Sequence, residues 1–197
     1  MTVETGEDYA DAVLTGQTWE RRSFERCDFT DADLRELVTK ACTFTNCDFT
    51  RADLGDTSHT GTAFRGCTFN RTVFASSRFE GCTLLGSTFT DCRLRGCVIR
   101  DTDLSLAGLG RVDLRKMDLS GLRLREANLV EADLREADLR NVDLSGARLL
   151  RTRLEDTDLR GARLDSDGLR QAQLTGAKID LDQAVRFAAA HGLIVES

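Results

Sequence analysis

Residues 127–144 read ANLVEADLREADLRNVDL, and a leucine returns at every fifth position of this stretch. The period continues in both directions without a slip, because every fifth residue from Leu14 to Ile179 is Leu, Phe or Ile apart from three. The three exceptions are Trp19, Thr39 and His59. The position two residues before each of these sites is mostly small, and all seven cysteines occupy it. Self-similarity at a fixed period predicts a solenoid.

A five-residue period fits neither a helix nor one long strand. On an α-helix, five steps of about 100° place successive large residues on different faces, and on a strand they fall on alternating faces. We therefore expect the chain to turn a corner in every repeat. The small and the large residue are two apart and share the inward face of an extended segment. Glycine often follows two positions after the large residue, where a tight corner needs an unusual φ.

A longer period of 20 residues overlies the short one, as shown by Phe24, Phe44 and Phe64 and by three cysteines at the same spacing. Four repeats therefore form one coil, and coils stacked at ~4.8 Å predict a four-sided rod roughly 41 Å long. We expect an all-β solenoid of about eight coils. The predicted divisions are an N-terminal tail at 1–13, the β-helix at 14–180, and a C-terminal helix and dimerisation segment at 181–197.

The composition of the chain argues against several classes of function. The chain has 33 Asp and Glu against 27 Lys and Arg, a net charge of −6, which disfavours direct binding of nucleic acid or of an anionic membrane. No export signal or membrane-spanning apolar run is apparent, and an odd number of cysteines favours a reduced, cytoplasmic protein. The cysteines are interpreted as small core residues rather than metal ligands. Both histidines, His59 and His191, are isolated, so we expect no enzyme, no cofactor and no metal site.

The unit Ala-(Asp/Asn)-Leu-X-X at 127–129, 132–134 and 137–139 resembles the repeat of pentapeptide-repeat proteins, and the likeness covers residues 14–180. The segments 58–65 and 182–193 most resemble the mycobacterial fluoroquinolone-resistance members. The resemblance implies a right-handed quadrilateral β-helix and a dimeric, DNA-shaped protein. It also implies that this protein binds DNA gyrase, inhibits or modulates its supercoiling and confers fluoroquinolone resistance. The unbroken frame leaves no room for the projecting loops of the plasmid-borne Qnr members.

Outward aspartates recur at the same place in successive coils and form the candidate partner-binding site. They are Asp113, Asp118, Asp133, Asp138, Asp143 and Asp158. Stacked like charges are unfavourable in a sheet, which suggests a functional reason for them. Arginines follow several of these Asp-Leu pairs, however, and an ordinary solvated ladder of mixed charge stays open as the alternative.

Apolar residues near the C-terminus predict a homodimer joined at the C-terminal ends, built on a helix capped by Asp180 or Asp182 and stopped by Gly192. The candidate interface residues are Leu181, Val185, Phe187, Leu193, Ile194 and Val195. A generic β-solenoid scaffold for a different protein partner, bound through the outward aliphatic residues Val130 and Leu150, stays open as the alternative function.

Overall fold

The computed structural model describes residues 3–195, except for the side chains of 166 and 167. The strands are short: β1 (Val3–Thr5), β2 (Thr18–Glu20), β3 (Ser23–Glu25), β4 (Val38–Lys40), β5 (Thr43–Thr45), β6 (Ser58–Thr60), β7 (Ala63–Arg65), β8 (Thr68–Asn70), β9 (Arg78–Glu80), β10 (Thr88–Thr90) and β11 (Val98–Arg100). The helices are α1 (Ser166–Gln171) and α2 (Leu181–Ala190).

All strand pairs are parallel and join residues 20 apart, so that Phe44 lies beside Phe24 on one side and Phe64 on the other. The longest sheet has the order β11-β9-β6-β4-β2, one strand from each of five successive coils. Beyond these strands, single parallel bridges keep the same offset as far as Asp158 and Lys178. The predicted four-sided β-solenoid with a 20-residue coil is confirmed.

The corners between the sides contain residues in the left-handed region of φ and ψ. Many of them are β-turns, such as the one in which Leu37 N–H donates to the Leu34 carbonyl at 3.1 Å. The third residue of this turn, Glu36, has φ of +61°. Glycine supplies this φ at some corners, as predicted, but Asp, Glu, Arg and Asn supply it at many others. Their N–H groups bond to the next coil, as Glu36 does to Gly55 at 3.0 Å, which offsets the strain.

The core changes character along the rod. In the first coils, phenylalanine rings stack one above another, with ring centroids 4.9 Å apart for Phe24 and Phe44 and 4.8 Å apart for Phe44 and Phe64. After Phe89 the same columns contain Leu and Ile, which are buried as far as Leu159. The stacking distance equals the strand spacing, so a flat ring fills a coil without leaving a void.

The small inward position selects Cys, Ser and Thr for a hydrogen bond that Ala cannot make. Cys42 Sγ donates to the Trp19 carbonyl at 3.3 Å, and Thr72 Oγ1 donates to the Phe49 carbonyl at 2.7 Å. In each case the acceptor is the large residue 23 positions earlier, on the preceding coil. Burial raises the pKa of the Cys97 thiol to about 12, and all seven cysteines are free. Six of the seven cysteines are buried, which fits a packing role, and the hydrogen bond is a further role that packing alone does not explain.

The expectation of an N-terminal tail at 1–13 is wrong for residues 3–13, and residues 1 and 2 lie outside the described part. Strand β1 pairs with β3, and Glu4 takes the inward position beside Phe24. Its carboxylate accepts hydrogen bonds from Tyr9 Oη and from Arg22, whose Nη2 lies 2.7 Å away. The Arg22 guanidinium also covers the Trp19 ring at 4.7 Å. An acid is tolerated in this inward position because it is paired at the first coil.

The C-terminal end departs from the repeat once and then follows expectation. Helix α1 interrupts the predicted run of 14–180, where the sequence places Asp167 at a position that elsewhere holds a small residue. Pairing resumes between Arg153 and Gln173. Helix α2 then starts at the predicted N-cap, Asp180, with Gln183 completing a capping box. The Gln183 amide also donates to the Leu159 carbonyl at 2.7 Å, which fixes α2 to the last coils.

His59 is buried and takes part in a hydrogen-bond chain, as its isolation in the sequence suggested. Thr57 Oγ1 donates to the Leu54 carbonyl, so its oxygen accepts from His59 Nε2–H at 3.0 Å. His59 Nδ1 is therefore unprotonated and accepts from Thr39 Oγ1 at 2.7 Å. Burial lowers the pKa of His59 to about 3, because the charged imidazolium would lose its hydration in the core.

Acid should destabilise the fold through this residue. The unfolded chain protonates His59 near its ordinary pKa of 6.5 and the folded chain only near 3, so the unfolded state is favoured as pH falls between these values. Between pH 6.5 and 5 we expect the free energy of unfolding to fall by roughly 1.6 kcal/mol in total, with a slope that approaches about 1.4 kcal/mol per pH unit at the acid end. Urea unfolding of His59→Phe should lose this slope and that of His191→Ala should keep it. An unchanged slope in His59→Phe contradicts the assignment.

Candidate functional site: charged faces of the rod

One side of the rod carries a row of three stacked aspartates, Asp118, Asp138 and Asp158, which we call the acidic row. Parallel bridges join Asp118 to Asp138 and Asp138 to Asp158. The stacking predicted from the 20-residue period is therefore present. Lys178 follows Asp158 in the same column and ends the row.

Arginines two residues along the chain neutralise most of the acidic row. Arg140 Nη2 contacts Asp138 Oδ2 at 2.5 Å, and Arg160 Nη2 contacts Asp158 Oδ2 at 2.6 Å. Hydrogen bonds from Arg160 lower the pKa of Asp158 to about 2, so this carboxylate stays ionised at neutral pH. Asp118 instead accepts from Ser120 Oγ at 2.7 Å and forms no ion pair within the described chain.

The other three predicted aspartates lie on two neighbouring sides. Asp133 accepts from Arg135 at 2.7 Å and lies 3.3 Å from Arg153, while Asp113 pairs with Arg115 at 2.6 Å. The remaining predicted aspartate is Asp143. It accepts from Ser145 Oγ at 2.6 Å, and its column alternates in sign because Arg123 lies between Asp103 and Asp143. The six residues therefore do not form one surface, and four of them are paired with arginines two residues along the chain.

A second stack of aspartates lies on the opposite side of the rod, nearer the N-terminus. Bridges join Asp8 to Asp28 and Asp28 to Asp48, and we call this the opposite row. These carboxylates accept backbone N–H groups two residues on, as Asp28 does from Thr30 at 2.8 Å. They form no ion pair within residues 3–195. The 20-residue spacing indicates this row, but Asp8 lies in the predicted tail at 1–13, where no coil is expected to stack on Asp28.

The C-terminal end exposes apolar side chains beyond the last coil. Ile194 is 89% exposed and Leu181 is 78% exposed, and Leu193, Val195 and Val185 are exposed as well. Phe187 differs, because it packs partly buried against the core and lies 4.3 Å from the His191 ring. Five of the six predicted interface residues are therefore available to a partner, and Phe187 belongs to the lid over the coils.

The described residues, 3–195, contain no cluster of three or more His, Cys, Asp or Glu side chains arranged to hold a metal ion. Within the same range, neither helix has the length and apolar character required to cross a bilayer. What this part of the chain offers to a partner is a rigid, charged surface.

The family model for the pentapeptide repeat region matches residues 17–88 and 87–164. The chain belongs to the pentapeptide-repeat family. The family membership predicted from the repeat unit is thus confirmed. No curated protein sequence matches the chain.

Solved structures similar to this pentapeptide-repeat chain include QnrB1, a plasmid-mediated fluoroquinolone resistance protein. Full-length QnrB1 is 24% identical, with 97% of each chain covered and a TM-score of 0.84. A trypsin-treated variant of QnrB1 is 25% identical, with 98% of this chain and 97% of that chain covered and a TM-score of 0.70. The similarity extends over the whole rod, so the two proteins share their fold from end to end.

Proposed function

We propose that this chain is a protein-binding rod that binds DNA gyrase as a mimic of DNA, inhibits or modulates its supercoiling activity and confers fluoroquinolone resistance. The observation that carries the proposal is the end-to-end fold similarity to QnrB1, a fluoroquinolone resistance protein. In this proposal the chain acts in the cytoplasm, with its cysteines reduced and without catalysis of its own.

Shape supports mimicry better than total charge does. A DNA segment of roughly 41 Å carries about 24 phosphate charges, whereas the whole chain has a net charge of −6. The rod therefore cannot reproduce the field of DNA by charge alone. Its backbone ladder holds the coils at a constant spacing over most of the rod, and carboxylates stacked at ~4.8 Å present local negative charge to a basic surface.

The arginine partners of the acidic row do not prevent it from binding. Arg140 and Arg160 are about half exposed, and exposed ion pairs contribute only about 0–1 kcal/mol. A lysine or arginine of the partner can therefore replace them at small cost. Asp118, which forms no ion pair in the described chain, provides the most accessible carboxylate of the row.

The scaffold alternative rests on two outward aliphatic residues. Leu150 is 47% exposed and Val130 is half-buried one coil before it. An apolar contact of this kind buries little area and is insensitive to salt, whereas binding through carboxylates weakens as ionic strength rises. Salt dependence therefore separates the two functions.

Replacing the acidic row should weaken inhibition of gyrase. We expect Asp118→Asn, Asp138→Asn and Asp158→Asn together to raise the concentration needed for half-inhibition of supercoiling by about tenfold, if each exposed charge contributes about 0.5 kcal/mol. The melting temperature should change little, because the substitution also removes repulsion between stacked carboxylates.

The opposite row provides a matched control, since it has three aspartates at the same spacing. Asp8→Asn, Asp28→Asn and Asp48→Asn together change the net charge equally and should leave inhibition nearly unaltered. If both triple variants lose inhibition equally, net charge alone matters. If neither does, and inhibition by the unmodified protein is independent of salt, the mimic is wrong and the scaffold is favoured.

We also propose that two copies join through the C-terminal ends. The exposed side chains of Leu181, Val185, Leu193 and Ile194, together with Val195, form a concentration of apolar surface at one end of the rod. A two-fold contact there doubles the rod to about 82 Å, comparable with roughly 24 base pairs.

Polar residues in this segment should give monomers. We expect Leu193→Ser with Ile194→Ser to sediment as a monomer at micromolar concentration, with an unchanged circular dichroism spectrum, because neither side chain packs in the core. Leu150→Ser, a similar change on the side of the rod, should remain dimeric. An unmodified protein that is monomeric under these conditions refutes the proposed dimer.

A further inference from the structure

The backbone ladder opens on two adjacent sides between residues 91–101 and 110–120. In neighbouring coils Phe74 N–H donates to Arg93 and Leu114 N–H donates to Asp133, both at 2.8 Å. The equivalent bond from Leu94 to the coil above is absent within the described chain. The N–H groups that lack their bond to the facing coil are those of Asp91, Leu94, Gly96, Ile99, Asp101, Asp113 and Asp118.

The other two sides stay closed at the same level. Leu104 N–H donates to the Arg123 carbonyl and Phe89 N–H donates to the Gly108 carbonyl, each at 2.8 Å. At the margin of the opening, Arg123 N–H reaches the Thr102 carbonyl at 3.5 Å, the longest bond of its column. The two coils therefore stay hydrogen-bonded on two sides and separate on the other two, where two sheet edges face each other.

Three consecutive small inward positions of this coil hold larger residues, Val112, Met117 and Leu122, and the ladder opens at the first two. Val112 and Met117 lie where the next coil has Ala132 and Ala137, and they face Cys92 and Cys97 of the coil below. Adding methylene groups to a well-packed position forces the backbone to move. Met117 is only half-buried, which is the expected consequence of a coil that does not close over it.

The resulting cleft has a volume of about 960 Å³. Apolar side chains lie at its base, among them Leu94, Ile99 and Met117. Its rims are basic: Arg93, Arg95, Arg100, Arg115, Lys116 and Arg135 line it, against Asp113, Asp118 and Glu136. The cleft is therefore locally positive, although the net charge of the chain is −6.

The upper rim is largely neutralised, and the lower rim is not. Arg115 pairs with Asp113 at 2.6 Å and Lys116 with Glu136 at 3.5 Å. On the lower rim, Arg93, Arg95 and Arg100 form no ion pair among the described residues. Asp91 and Asp101 lie at the ends of this segment and do not line the cleft. Three guanidinium groups are therefore available to carboxylates from outside.

We propose that this cleft binds an extended acidic segment of a partner protein, which adds to the exposed sheet edges as a strand. Unpaired N–H and C=O groups on a strand edge match a peptide backbone and not a sugar-phosphate backbone. A strand between the edges directs alternate side chains inward and outward. Apolar residues enter towards Leu94, Ile99 and Met117, and the intervening carboxylates meet the arginines of the lower rim.

Binding of a short labelled peptide of alternating leucine and glutamate tests this site by fluorescence anisotropy. We expect saturable binding to the full chain, and Arg95→Glu with Arg100→Glu should weaken it by at least about tenfold. Arg65→Glu with Arg148→Glu makes the same change in net charge away from the cleft and should leave the affinity unchanged. Absent binding, or equal loss in both double variants, overturns the proposal.

Two further ligands test whether the cleft is specific for an acidic peptide. A peptide of alternating leucine and lysine and a single-stranded oligothymidylate should bind at least about tenfold more weakly. Comparable binding of the oligonucleotide would assign the cleft to nucleic acid instead.

Val112→Ala with Met117→Ala restores small residues at the two positions, so the ladder should close, the melting temperature should rise and peptide binding should disappear. Undiminished binding in this folded variant contradicts strand addition.

Discussion

The parallel hydrogen-bond ladder with its constant 20-residue offset is the constraint on which the rest of the structure depends. It fixes the distance between coils, so every inward column must be filled by groups about one strand spacing thick. Flat phenylalanine rings, leucines and small hydrogen-bonding residues satisfy this requirement in different parts of the rod. The same offset places outward side chains in rows, which means that the spacing of surface charge follows from the backbone rather than from local loops.

The features that follow from the 20-residue offset could be predicted from the sequence. The features that depend on the contacts of single side chains could not. The coil length, the inward positions, the helix cap at Asp180 and the buried His59 follow from periodicity and from helix-capping rules. The first coil was missed because Glu4 breaks the hydrophobic pattern, and only the contacts of Glu4 with Arg22 and Tyr9 make it acceptable. The opening near Met117 was missed because a large residue at one small position is a weak signal until the register is known.

For the candidate site, the sequence predicts where the aspartates stack but not how far neighbouring arginines neutralise them. The stacking of Asp118, Asp138 and Asp158 is a direct consequence of the period, yet the effective charge of the row depends on where the arginine side chains turn. Arg140 and Arg160 turn back on their own side of the rod, while the opposite row has no such partners in the described chain. A rod of this kind therefore combines a regular scaffold with a surface whose sign varies from side to side.

Amide hydrogen exchange resolved by NMR tests the hydrogen-bond ladder, because it reports each bond separately. We expect slow exchange for ladder amides such as Phe44, Phe74 and Leu134, and fast exchange for Leu94, Ile99 and Asp118, where the ladder opens. Protection that continues through residues 91–120 would contradict the opening. Fast exchange throughout the coils would contradict the ladder itself as the source of order.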